Sequence, residues 1–400
     1  MLLAVAAVAV FATVGSAGAA QTTSQVMLGS GSDTTWLMMD AFDDMYNQSP
    51  GCNQIANPQP LDGSCASGNL ADAENFYHNT AAERYWIGSG GGINQLCKQG
   101  LANVANMDYA RSSRVPLPAA QGGSDCTGLH FVGYARDGIA WECFPGVNAG
   151  CTTLTTGTNS LTITQLKHIW VDCTITNWNQ IGGSNKTIDV YAAQANSGTG
   201  VSWAAALGVT LASGQALSNC VANPNNPNQP GSNISAENTN ALIHINGDED
   251  NAIYYYSVGV YHRTYGKAFT GADGSSLGLV NGKKATSTAI QNGSFPISRY
   301  LFNVYCAGDP ANANKCGNNS ASPSWVKDYV GEHGFICKSE DDHLDSNNQP
   351  IKDPLTGAAY RLPANLKGQP KGEISDLIKA QGFVPVAQQA DGTYCVTFTT

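Results

Sequence analysis

Charge is scarce in this chain. Only 12% of its 400 residues are Asp, Glu, Lys or Arg, about half the share of an average globular protein. Basic residues are the scarcer sign, 20 against 30 acidic ones, for a net charge of −10. No basic field exists to gather a polyanion, which excludes nucleic-acid binding. No Cys-x-x-Cys pair occurs among the 12 cysteines, so the zinc-ribbon and zinc-finger spacings are absent. No apolar run after Gln21 is long enough to span a bilayer. No period of 20 to 50 residues recurs, which excludes a solenoid or a propeller. An acidic protein can still bind a small anion through backbone N–H groups and hydroxyls, which need no net positive charge.

What fills the gap is uncharged and polar: 44 glycines together with abundant Asn, Ser and Thr, beside 42% hydrophobic residues. Residues 1–20 form an apolar run ending in small residues, with Ala17-Gly18-Ala19 fitting a small-x-small cleavage site. This reads as a secretory signal peptide and places the protein in a secreted, periplasmic or extracellular setting. An even number of cysteines in an oxidising compartment predicts disulfides. Cys52 with Cys65, Cys143 with Cys151, and Cys306 with Cys316 would close short Gly/Asn/Pro-rich loops; Cys173 with Cys220 and Cys337 with Cys395 would close longer ones.

Short β-rich runs alternate with helical ones. Strands are predicted over 25–29, 102–109, 130–135, 138–144 and 187–193, and helices over 34–47, 164–171 and 200–207. Strand, turn and helix in repetition predict an α/β fold with a mainly parallel sheet. The stretches 52–69 and 220–240 are rich in Asn, Pro, Gly and Ser and read as surface insertions.

Three small-residue turns stand between a strand and a helix: Gly29-Ser30-Gly31-Ser32-Asp33-Thr34-Thr35, Gly88-Ser89-Gly90-Gly91-Gly92 and Asn196-Ser197-Gly198-Thr199-Gly200. The first N–H groups of a helix lack partners and the helix dipole is positive there, so an oxyanion fits without a salt bridge. Any one such turn is an ordinary cap; three in one α/β chain suggest a converging site.

These residues carry a resemblance. Gly31-Ser32-Asp33-Thr34-Thr35, Ile87-Gly88-Ser89-Gly90-Gly91-Gly92-Ile93, the stretch from Leu161 through Gln165-Leu166 and Ile169 to Ile175-Thr176-Asn177-Trp178, and Ser197-Gly198-Thr199 follow the order seen in periplasmic phosphate-binding proteins. The chain resembles this family from about Val26 to Tyr305. The resemblance implies a two-lobed type 2 periplasmic-binding-protein fold, α/β, with a mixed, mainly parallel sheet in each lobe and a two-crossing hinge. Residues 21–133 and 298–400 would form lobe 1 and residues 134–297 lobe 2, with crossings at 134–138 and 295–300.

Carried over by position, the resemblance puts Thr34 and Thr35 at the first anion-binding turn, Ser89 and Gly90 at the second, and Ser197, Gly198 and Thr199 at the third. Two departures stand out. The family's Arg four residues before the Ser-Gly-Thr turn is Ala193 here, and its Asp after the strand is replaced within Tyr109-Ala110-Arg111-Ser112-Ser113-Arg114. An acceptor-only carboxylate selects an anion that still bears a proton; with Ser113 in that place, the discrimination would be lost. Arg111 or Arg114 would supply the missing positive charge.

The expected function is capture of a small tetrahedral oxyanion, phosphate first, for uptake by membrane transporter subunits. The protein is expected to be a monomer without metal, cofactor or catalytic activity, and without the Gly-x-Ser-x-Gly string of a serine nucleophile. The alternative is an extracellular surface interaction or glycan-binding protein that reuses the fold, with the tyrosines and Asn/Pro-rich insertions making the contacts. Tyr254-Tyr255-Tyr256 and Tyr261 read as strand packing, and Asp248-Glu249-Asp250 and Asp341-Asp342-His343 as solvated loops rather than calcium sites.

Overall fold

The computed structural model describes residues 25–47, 69–72, 88–97, 107–118, 123, 125–146, 148–152, 160–212, 214–221, 233–266, 269–337 and 373–400. The signal segment, Cys52 and Cys65, and the acidic run at 341–345 lie outside the described residues.

The chain opens with β1 (Gln25–Gly31), turns through Ser32–Thr35 and enters α1 (Trp36–Asn47). Strand β2 (Asn69–Asp72) runs parallel to β1 on one side, and β3 (Tyr109–Ser112) parallel to it on the other. Between them α2 (Gly88–Cys97) begins on the glycine-rich segment itself. These glycines answer to close approach. A Cβ on Gly92 would lie 2.6 Å from Gly31 Cα, so the first two small-residue turns sit back to back.

Strand β4 (Leu129–Cys143) is a single 15-residue strand where two were predicted. Its first part pairs antiparallel with the strand Ser298–Cys306, which in turn pairs antiparallel with β3. Its last part pairs antiparallel with Ala252–Ser257, whose far side takes Asp189–Val190 in parallel. One mixed sheet results, parallel at both flanks and antiparallel through the middle. The proposed crossings run side by side, Ser298 opposite Gly138, with the Ile139 amide on the Ile297 carbonyl. The predicted strand at 102–109 is instead β3, beginning at Tyr109, with 102–106 outside the described residues.

Two helices complete the frame around the site. In α3 (Ile163–Trp170), Thr162 and Gln165 form a reciprocal capping box. In α4 (Gly198–Ala206), the Ser197 hydroxyl accepts from the Gly200 amide at 2.9 Å. The core between α3, α4 and the sheet is aromatic: Trp203 stacks on Tyr255 at 5.2 Å, and Trp170 meets Trp203 edge-on. Tyr254, Tyr255, Tyr256 and Tyr261 are all buried, as strand packing requires, so they offer no platform to a glycan.

The disulfides Cys143–Cys151, Cys173–Cys220, Cys306–Cys316 and Cys337–Cys395 follow the predicted pairs, and Cys97–Cys126 adds one that had not been assigned. No described cysteine is free. No helix among the described residues is long and apolar enough to cross a membrane.

Candidate oxyanion site

The first and third turns meet with Ser113 at one point, and the atom at that point is a carboxylate oxygen of the chain itself. Glu237 Oε1 accepts from the Thr34 hydroxyl at 2.7 Å, from the Thr199 amide at 3.1 Å, from the Thr199 hydroxyl, and from the Ser113 hydroxyl at 3.4 Å. The donors come from three separate segments. Thr34 and Thr199 share a further contact at 3.3 Å, and Asn238 Nδ2 donates to the Thr34 hydroxyl at 3.0 Å. Ser89 lies one step behind, sharing a hydrogen bond with the Ser113 hydroxyl at 3.3 Å and accepting from the Ser113 amide at 2.9 Å. Gly198 is there because nothing larger fits: a Cβ would lie 2.1 Å from Ser89 Oγ and 2.3 Å from Ser113 Oγ.

Other residues named from the sequence lie nearby but face elsewhere. The Thr35 hydroxyl donates to the Ser32 carbonyl. The Gly90 amide is bound to the Asn196 carbonyl at 3.0 Å, and the Ser197 hydroxyl caps α4. Arg111 is fully buried and donates to the carbonyls of Gly29 at 2.9 Å and Ser32 at 3.5 Å, bracing the first turn from below. Arg114 forms a two-pronged pair with Asp125 at 2.8 and 2.6 Å and is turned away from the cluster. The positive charge expected from Arg114 is thus committed to a structural pair.

The expectation that no acceptor carboxylate faces the cluster is corrected by Glu237. It belongs to the segment 220–240 that reads as a surface insertion. Residues 222–232 of that segment lie outside the described residues, but Glu237, Asn238 and Asn240 are buried. The sequence signal was faint, a single acidic residue in a polar stretch. A second carboxyl, Asp33, accepts from the Gly88 amide at 3.2 Å and from Gln194 Nε2 at 3.0 Å. Burial, reinforced by the neighbouring Glu237 charge, pushes its pKa up to about 8, so Asp33 holds its proton at neutral pH.

Behind the cluster, the Ser113 carbonyl accepts from the Ser202 hydroxyl and from Arg299 Nη1, each at 3.0 Å. Ser113 is therefore held by α4 and by the strand Ser298–Cys306 at once.

Two rival chemistries find no support at their residues. Gly274-Ser275-Ser276-Leu277-Gly278 does have the Gly-x-Ser-x-Gly spacing of a nucleophile elbow, contrary to the expectation that no such string exists. It opens a short strand antiparallel to β4 rather than a helix, and the Ser276 hydroxyl donates to the Phe269 carbonyl. In the Asp248-Glu249-Asp250 run each carboxylate has its own partner, Tyr191, His244 and Lys186. No group of three or more described His, Cys, Asp or Glu side chains could hold a metal ion.

Among curated proteins there is no match. Solved structures resemble the chain, among them the following three. A protein described as a phosphate ABC transporter substrate-binding protein from Clostridium perfringens, with bound phosphate, is 17% identical over 91% of this chain and 100% of its own, with a TM-score of 0.48. An ABC-type phosphate transport receptor from Vibrio cholerae is 20% identical over 70% of this chain and 87% of its own, TM-score 0.44. PstS from Borrelia burgdorferi is 16% identical over 91% and 99%, TM-score 0.41. A family model for a PBP superfamily domain matches residues 74–322, more than half of the chain and including the second and third turns, β4 and Glu237; the chain belongs to the PBP superfamily.

Proposed function

We propose that this protein captures a small tetrahedral oxyanion, phosphate first, between two lobes formed by residues 21–133 with 298–400 and by residues 134–297, and delivers it for uptake without chemical change. One observation carries the reading: hydroxyls of Thr34, Ser113 and Thr199 and the Thr199 amide, from three separate segments, converge on a single anionic oxygen. An oxygen that accepts several N–H and O–H donors at once is what a bound oxyanion presents. The donors are fixed by the fold before any ligand arrives, which lowers the cost of binding. Arg111, beneath the first turn, supplies positive charge without direct contact, a role that suits an anion held mainly by hydroxyls and amides.

Isothermal titration of the purified protein with phosphate, arsenate and sulfate tests this. Heat with phosphate, and a thermal shift that scales with its concentration, are the expected results. No heat and no shift with any tetrahedral oxyanion overturns the proposal. Ala193, where the resembled family carries an Arg, favours a second reading in which the fold is kept and the ligand has changed. Binding of none of the three anions would leave that one standing.

A further inference from the structure

We propose that Glu237 sets the affinity of this cleft by acting as a tethered anion, its Oε1 holding in the ligand-free protein the donors that an incoming oxyanion needs. The inference rests on the oxyanion reading of the cleft and adds to it the residue that competes with the ligand.

The geometry shows a seat already taken. One amide and three hydroxyls point at Oε1, and these are the donors of the first and third turns together with Ser113. Glu237 is 6% exposed, and its Oε2 has no hydrogen-bond partner among the described residues. The backbone around it is braced on both sides. The Ala236 carbonyl accepts from the Tyr254 hydroxyl at 3.1 Å, and Asn238 Oδ1 accepts from the Ser257 amide at 2.9 Å. Asn238 itself sits in the left-handed region at φ 55°, where Asn is among the few side chains tolerated. The segment is therefore built to present Glu237 inward.

The chemistry follows from charge and from tethering. A carboxylate and a phosphate oxygen are both acceptor-only anionic groups and want the same donors. They cannot share this point, because each hydroxyl has one proton to give and like charges in a buried site repel. A competitor attached to the chain acts at an effective concentration in the millimolar range, whatever the dilution of the protein. The oxyanion then binds only the fraction of molecules in which Glu237 has swung aside, and the apparent affinity drops by that fraction.

The test compares wild type with Glu237→Gln and Glu237→Ala by titration calorimetry using inorganic phosphate and sulfate, each protein first checked for a native thermal transition. The amide keeps the size and removes the charge; the alanine removes the occupant and stands in should the amide variant not fold. Both variants are expected to bind phosphate about tenfold or more tightly, and sulfate by a similar factor, because the competition does not depend on the ligand's own proton. Unchanged affinity overturns the inference. So does weaker phosphate binding with a collapse of the phosphate-to-sulfate preference, which would make Glu237 the acceptor for a proton on the ligand. Absence of heat from all three proteins with both anions overturns the oxyanion reading itself, an outcome distinct from the other two.

Discussion

Arg299 holds Asp137 through two donors, Nε and Nη2, at 3.1 and 2.7 Å from the same carboxylate oxygen, while its Nη1 donates to the Ser113 carbonyl at 3.0 Å. One guanidinium thus ties a residue of the proposed crossing to a residue of the anion cluster. Asp137 is otherwise filled by the Ser257 hydroxyl at 2.8 Å and the Gly259 amide at 3.0 Å.

Removing one partner of this buried pair leaves the other charged and alone. Arg299→Met is expected to cost about 3–5 kcal/mol in urea unfolding. Adding Asp137→Asn should recover part of the loss, since the uncompensated charge is then gone. It should not restore phosphate affinity, because the clamp on Ser113 is still missing. A double variant no more stable than Arg299→Met would show that the pair's charge is not what matters.

Three carboxyls make the protein favour mildly acid solution. Burial, with the Asp273 charge, pushes Glu142 up to about 8; burial and Glu237 push Asp33 up to about 8; burial and Asp248 push Asp189 up to about 7. The unfolded chain gives up these protons near pH 4, whereas the folded protein keeps them until pH 7 to 8. Between those limits the folded state binds more protons, so stability falls as pH rises. The melting temperature should therefore decline from pH 5 to pH 8, and Glu142→Gln should flatten that slope. A melting temperature that rises over the interval would contradict the assignment.

Disulfide loss should scale with the loop closed. Cys173–Cys220 spans 47 residues and Cys143–Cys151 only 8. The chain-entropy estimate gives about 4 and about 2.5 kcal/mol. Paired Cys→Ser variants compared by chemical denaturation should keep that order, and unreduced mass spectrometry should find no alkylatable thiol among the ten bonded cysteines.

Gly198→Ala tests how closely the turns must meet. A methyl there would lie 2.1 Å from Ser89 Oγ and 2.3 Å from Ser113 Oγ. Pushing them apart should cost about 1–3 kcal/mol of folding stability, read in urea unfolding, and should weaken phosphate binding. Thr199→Ala, which removes a hydroxyl donor without adding bulk, should also weaken binding. Wild-type affinity in Gly198→Ala would mean that ligand binding does not need this contact.

Local chemistry was legible from the residues alone. The Ser197 cap and the short-loop pair Cys143–Cys151 depend on neighbours a few positions away, and the structure has both in place; the second small-residue segment is instead the first turns of α2 itself. Direction was not legible. Arg111 and Arg114 stand three apart in sequence, yet one braces the Gly29 carbonyl and the other is spent on Asp125. Which carbonyl or carboxylate comes within reach is decided by strand pairing, not by spacing. The largest change came at Glu237. Its surroundings in sequence are those of a surface insertion, and only the parallel pairing of Ala192–Ala193 with Ile234–Ser235 carries it beside Thr199 and, across the fold, to Thr34. Which small-residue segments could face an anion was written in the chain, because caps and glycines act locally. The tertiary structure alone decided that a carboxylate of the chain meets their donors, because that contact joins residues 203 positions apart.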